Sequence, residues 1–362
     1  MKNKISSQFE CYQNDLLLHS MSNFTHQISK VLDVLQPKSL CEVGIEGGLF
    51  TNYLLEYAQK NGAKYIGIEP HIDVHLKDLI TGKKQQVVED LSLNVLKNVD
   101  ADVIFLDGDH NYYTLYYELK QIFSENRTSF VFLHDISWPW RNRDLYYDVD
   151  TIPSEYVHPY ESERGLKLGE KKTVPYGFRS LGHYSFAKEE RGEKNGLLPA
   201  IEDFIASETE RTFAYYELFA IFGLGLLFEP SRLTREQNAY LKFVKKSFDF
   251  LNPLIINMEA NRLELLYEYW EQIEHINLLN KDKEHLHNVV ERKNVLIEQK
   301  DDAINLQNQR LQKCLEEKKQ NETLSKQLSA ELNSIVTSKA WKLVLYFRKI
   351  RDKIKNYFLG NT

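Results

Sequence analysis

Cysteine is scarce in this chain of 362 residues: Cys11, Cys41 and Cys314 stand far apart, too few for a disulfide framework or a cysteine-built zinc site. A reducing compartment is the expectation. Long apolar runs are missing as well. The longest, Leu218 to Phe228, has 11 residues including two glycines, well short of the ~20 needed to span a bilayer. The opening Met1-Lys-Asn-Lys-Ile-Ser holds no apolar stretch of the signal-peptide kind, so neither secretion nor membrane insertion is expected. Positive charge is not in excess. With 46 Lys and Arg against 52 Asp and Glu, the net charge of −6 speaks against a polycation that coats nucleic acid. Glycine and proline vanish from residue 254 to 359: all nine prolines lie at or before Pro253 and fifteen of sixteen glycines at or before Gly225. Losing both helix breakers over so long a stretch predicts a helical tail behind a globular region of about 250 residues.

That globular region alternates short apolar runs with amphipathic stretches. Ser39–Val43, Lys64–Glu69, Gln86–Val88, Asp102–Asp107 and Ser129–His134 read as strands, with helical spacing over Leu49–Ala58 and Tyr112–Phe123. Such alternation predicts a parallel, doubly wound α/β sheet with ligands at the carboxyl ends of its strands. Phe213–Leu218 and Phe222–Phe228 are close enough to pair as an antiparallel hairpin. A hairpin closing five parallel strands departs from the dinucleotide-oxidoreductase plan.

Two clusters carry chemistry. The first strand runs into Glu42-Val-Gly44-Ile-Glu46-Gly47-Gly48, where glycine permits positive φ and close backbone approach to a ligand. Glu69 ends the next strand, at a position where a carboxylate can accept both hydroxyls of a ribose; Asp90 and Ser92 follow the third. The second cluster is Phe105-Leu-Asp107-Gly-Asp109-His110-Asn-Tyr112 with Phe132-Leu-His134-Asp135, two strand ends that the plan sets side by side.

These motifs resemble the class I S-adenosylmethionine-dependent methyltransferases, in the branch with an Asp-Gly-Asp-His-x-Tyr signature related to cephalosporin-hydroxylase-like, macrolide-sugar and rhamnosyl O-methyltransferases. The resemblance covers roughly residues 20 to 230. It implies a Rossmann-like sheet and S-adenosyl-L-methionine as cofactor, held by Glu42, Gly44, Gly48, Glu69, Asp90, Ser92 and Asp107. In metal-dependent relatives an acid after strand four and an acidic pair after strand five bind Mg²⁺. Asp107 and Asp135 match two of those places; His134 stands in the third, and imidazole is a poor partner for a hard cation. The competing use of His110 or His134 is as general base toward a sugar hydroxyl, with Asp135 beside them.

Residues 136–197 form a long insertion carrying Trp138, Trp140, Tyr146, Tyr147, Tyr156, Tyr160, Tyr176 and Tyr184, with Arg141, Arg143, Arg179 and His183. It reads either as an acceptor-binding face for sugar rings, its arginines able to hold a phosphate, or as a lid rich in aromatics because it buries itself.

The expected boundaries are 1–230 for the methyltransferase domain, 231–261 for a helical connector, 262–338 for a coiled coil and 339–362 for a basic amphipathic helix. Val290, Ile297, Ile304 and Leu311 lie seven apart, beside Asn294, Asp301, Asn308 and Leu315. This thin seam points to homo-oligomers. Lys339 to Lys355 carries seven positive charges against Asp352, interleaved with Trp341, Val344, Phe347, Ile350 and Ile354, and Phe358 beyond. That pattern fits an anionic membrane surface better than nucleic acid. A coiled coil before a basic helix is also similar to bacterial surface-polysaccharide methyltransferases, which implies a glycan acceptor and a cytoplasmic site at the inner membrane face. Methylation of a terminal phosphate, or a non-catalytic head on a scaffold for glycan assembly, are the alternatives.

Overall fold

The computed structural model describes residues 17–124, 130–180 and 182–359. Cys11, Ser129 and the first sixteen residues of the expected domain lie outside the described residues. Two units divide the chain, one reaching His275 and one beginning at Ile276.

Helix α1 (Thr25–Leu35) buries Ile28, Val31 and Leu32 and ends where Gln36 turns left-handed ahead of Pro37. Then follow β1 (Ser39–Val43), α2 (Leu49–Asn61), β2 (Lys64–Ile68), α3 (Val74–Leu79), β3 (Gln85–Val88), α4 (Ser92–Val95), β4 (Val103–Leu106), α5 (Tyr112–Ile122) and β5 (Phe130–His134). After the insertion come α6 (Leu197–Ser207), β6 (Ala214–Leu218) and β7 (Leu224–Phe228). The seven strands line up as β6-β7-β5-β4-β1-β2-β3. β7 runs antiparallel to both β5 and β6, and the other pairings are parallel. This is the Rossmann-like sheet of parallel strands closed by an antiparallel hairpin that the sequence leads one to expect.

Every residue of β4, β5 and β7 is buried, because helices cover both faces and such strands need no polar alternation. Side chains sort by the period of two. Leu40, Val103, Phe105 and Phe132 pack toward Leu32 and Leu54, while Cys41, Ile104, Leu106 and Leu133 pack toward Leu115, Leu119 and Phe204. Phe105 and Phe132 stack with centroids 5.0 Å apart.

Helix α7 (Arg235–Thr337) runs unbroken through the stretches expected as connector and coiled coil, and it continues through Pro253. Packing explains this. Leu241, Val244 and Phe248 are buried before the proline, and Leu263, Leu266 and Tyr267 after it, so burial on both sides offsets the one backbone bond that proline removes. Residues 262–275 therefore belong to the first unit's core rather than to a free tail. In the second unit, Val290, Ile297, Ile304 and Leu311 are exposed, and α8 (Lys339–Leu359) starts at Ser338, whose hydroxyl accepts from Trp341 N at 3.1 Å. The Phe358 side chain lies outside the described residues.

Leu266→Ala should therefore lower the unfolding free energy of the first unit by about 2–5 kcal/mol, the usual cost of such a truncation in a packed core. Urea unfolding followed by tryptophan fluorescence measures it. A loss below about 0.5 kcal/mol, the scale of a surface substitution, would exclude this part of α7 from the core.

Candidate functional site

The carboxyl ends of β1, β2, β4 and β5 meet at one cleft. Backbone bonds draw them together: Gly44 N donates to Ile68 O at 3.0 Å and Asp107 N to Val43 O at 2.9 Å. Gly44 has φ +87°, and a Cβ there would stand 2.2 Å from the Asp107 carbonyl oxygen. Only glycine allows that approach. Gly48, at φ +74°, opens α2 without a side-chain cap, leaving the first-turn N–H groups of that helix for a ligand.

Glu69 fixes the turn from the neighbouring strand. Its Oε2 accepts from Ile45 N at 3.0 Å and its Oε1 from His71 N at 3.2 Å; each oxygen keeps a second lone pair. Glu42 sits deeper. Its Oε2 accepts from Thr51 Oγ1 at 2.9 Å and from the Tyr65 hydroxyl. Burial, reinforced by the charges of Asp107 and Glu69, pushes its carboxyl up to about 8 against those two bonds. Glu42 is thus a neutral brace beneath the glycine turn. Asp90 follows β3, where its Oδ1 accepts from Leu91 N at 2.8 Å and Asn94 Nδ2 at 2.7 Å. Ser92 turns inward onto Glu118, a buried acid that desolvation raises to about 8 despite the Ser92 bond.

At the second cluster, Asp107 Oδ1 lies 2.8 Å from His134 Nδ1, Asp135 Oδ1 lies 3.2 Å from the same nitrogen, and His110 Nε2 lies 3.3 Å from Asp135 Oδ2. Asp135 has φ +58°, a left-handed strain that a non-glycine residue carries only when its surroundings impose it. The His134 side chain is fully buried, edge-on to Phe24. Burial opposes its charge, but Asp107 and Asp135 outweigh that and raise it to about 9. His134 is therefore an imidazolium at neutral pH. In that form it has no lone pair to take a proton.

Ligand atoms of Asp107, His134 and Asp135 lie within 4.8 Å of one another, yet their chemistry does not fit Mg²⁺. His134 Nδ1 is taken up by its hydrogen bond with Asp107 Oδ1, and a hard cation prefers oxygen donors to imidazole. No metal-assisted step is derived from this set.

The insertion divides between the expected roles. Trp140, Tyr146, Phe178 and Phe186 are buried within it, as a self-burying lid requires. Arg141 pairs with Glu217 and Arg143 donates to the Ala187 and Lys171 carbonyls. Two aromatics face the site instead: the Tyr147 ring lies 6.4 Å from that of His110 and 6.0 Å from that of Tyr184. Asp144, which no sequence motif marks, stitches the insertion to the motif loop. Its buried Oδ1 accepts from Tyr112 N and Gly196 N, both at 2.7 Å, while Leu145 N donates to His110 O at 3.0 Å.

No protein-family model matches the sequence, and no curated protein matches it. Solved structures do. The chain is similar to a candidate O-methyltransferase from Nostoc punctiforme PCC 73102 (12% identity, TM-score 0.35, over 58% of this chain and 56% of that one). It is also similar to a SAM-dependent methyltransferase from Archaeoglobus fulgidus (17%, 0.24, 32% and 52%) and to the SAH-bound Podospora anserina methyltransferase PaMTH1 (16%, 0.35, 63% and 94%). The chain spans little more than half the length of the first two. The fold assignment rests on the strand order itself.

The raised Glu42 carboxyl has a consequence for stability. Between its ordinary value of 4.5 and about 8, the unfolded chain releases this proton while the folded one keeps it, so this group makes stability fall as pH rises. Glu42→Gln should remove that component. Its melting temperature relative to the parent should climb steadily from pH 5 to pH 8 and level off above. Parallel melting curves across that range would rule out a neutral Glu42.

Proposed function

We propose that this protein is an S-adenosylmethionine-dependent O-methyltransferase acting on a sugar hydroxyl of a bacterial surface glycan, at the inner face of an anionic membrane. One observation carries the reading: in a sheet ordered β3-β2-β1-β4-β5-β7-β6, the glycine turn, Glu69 and the Asp107–His134–Asp135–His110 chain share one cleft. The bound cofactor would supply an electrophilic methyl group on its sulfonium. The open N-terminus of α2 and the glycine turn suit its amino-acid end, and Glu69 suits the ribose hydroxyls. Asp90 fits the adenine side.

His110 is the base. With Nε2 donating to Asp135, its Nδ1 takes the proton from the acceptor hydroxyl, and Asp135 stabilises the imidazolium that results. His134 neutralises Asp107 and Asp135 from beneath, so that two acids can stand close without Mg²⁺. Tyr147 and Tyr184 offer aromatic faces to the acceptor ring. A phosphate acceptor has less support, because Arg141 and Arg143 are engaged within the chain.

With tritiated methyl donor and a panel of sugar nucleotides and glycans, His110→Ala should slow transfer by roughly 10²–10⁴-fold, the usual worth of a general base, and leave cofactor affinity unchanged. Glu69→Ala should weaken cofactor binding by about 1.5–3 kcal/mol. Transfer should persist in EDTA; activity lost to EDTA and restored by a divalent ion would overturn the histidine mechanism.

The membrane part rests on α8. Among the described residues no helix is long and apolar enough to cross a membrane, but Trp341, Val344, Phe347 and Ile354 are all exposed beside the basic side chains. At about 1 kcal/mol per Lys or Arg near an anionic leaflet, binding should be peripheral. Full-length protein should sediment with phosphatidylglycerol vesicles at low salt and release at high salt. Equal sedimentation after removal of residues 337–362 would refute the anchor.

A further inference from the structure

Within the first unit, α7 carries a second apolar face that no other described residue covers. Phe243, Phe250, Leu254, Met258, Leu265 and Tyr269 recur at spacings of three to four residues or their sum, and all are exposed, Phe250 to 83%. A monomer rarely leaves so continuous a stripe in water. Along one flank of it run exposed charges that change sign midway: Lys242 and Lys246 toward the start, Glu268 and Glu271 toward the end. Lys246 and Glu268 are about six helical turns apart, so they share that flank. None of these four has an ion-pair partner among the described residues.

The stripe is close to a palindrome. Reversing the helix about a point between Ile256 and Asn257 brings Lys242 onto Glu271 and Lys246 within one residue of Glu268, and it brings Phe243, Phe250 and Leu254 within two residues of Tyr269, Leu265 and Met258. An isologous interface demands this self-complementarity, in which each patch meets its own reverse. Antiparallel helices also set equivalent flanks against each other, so basic meets acidic at both ends. A parallel pair would instead set this flank against the opposite one and leave the four charges without one another.

We infer that two copies of this chain associate antiparallel along the 242–271 face of α7, about a twofold axis near Asn257. The apolar pairs supply the contact and the four charges select its direction. This surface is separate from the cleft and from the heptad positions of the second unit, and it does not depend on the methyl-transfer reading.

Chemical crosslinking of the full chain tests it, in a Cys11→Ser, Cys314→Ser background. Lys246→Cys mixed with Glu268→Cys should give a covalent dimer with a short bis-maleimide, while either variant alone should give little. Lys242→Glu with Lys246→Glu should weaken the dimer at least tenfold in sedimentation equilibrium, and adding Glu268→Lys with Glu271→Lys should restore it. Exposed positions were chosen so that folding is unaffected, which circular dichroism verifies. A monomeric chain, equal crosslinking of each single variant with itself, or a dimer indifferent to charge reversal would each overturn the proposal.

Discussion

The close approach of β1 and β4 at Gly44 is the constraint on which the cleft depends. With no Cβ to meet the Asp107 carbonyl, the backbone of Asp107 reaches Val43 and its carboxylate is set at the edge of β5. From there the order propagates through charge. Asp107 holds His134, His134 holds Asp135, and Asp135 faces His110. A side chain at position 44 would disturb four residues through one displaced carbonyl.

The number of neighbouring carboxylates separates the two histidines of that chain. His134 and His110 both stand beside carboxylates, but His134 is enclosed between two of them and keeps its proton. An imidazolium there is a counter-charge for the acids on either side of it. His110 is joined to a single carboxylate and lies next to Tyr147. Two histidines of identical intrinsic chemistry thus come to opposite roles, one as a buried counter-charge and one as the proton acceptor of the proposed reaction.

The strands were legible because fully buried parallel strands read as unbroken apolar runs, and the glycine turn and Asp-Gly-Asp-His stretch because their spacing reflects local backbone geometry. What escaped was long-range. Nothing near Glu42 in the chain announces Tyr65, whose hydroxyl caps it from the next strand. Asp144 sits in a stretch without periodicity, and its partners Tyr112 and Gly196 lie 32 and 52 residues away. Pro253 lies inside the expected helical connector, and only the structure shows the burial on both sides that carries the helix through it. The insertion's aromatics were visible as a group, but only packing distinguishes Trp140 in the lid core from Tyr147 over the cleft.

Direct calorimetric titration of the full-length protein with S-adenosylmethionine and S-adenosylhomocysteine tests the central claim most simply, since it requires no acceptor. The account predicts one site per chain for each ligand. It also predicts that EDTA leaves both isotherms unchanged, because no metal ion takes part in holding the cofactor. Absence of heat and of competition at millimolar concentrations of either compound, with the protein folded, would contradict it.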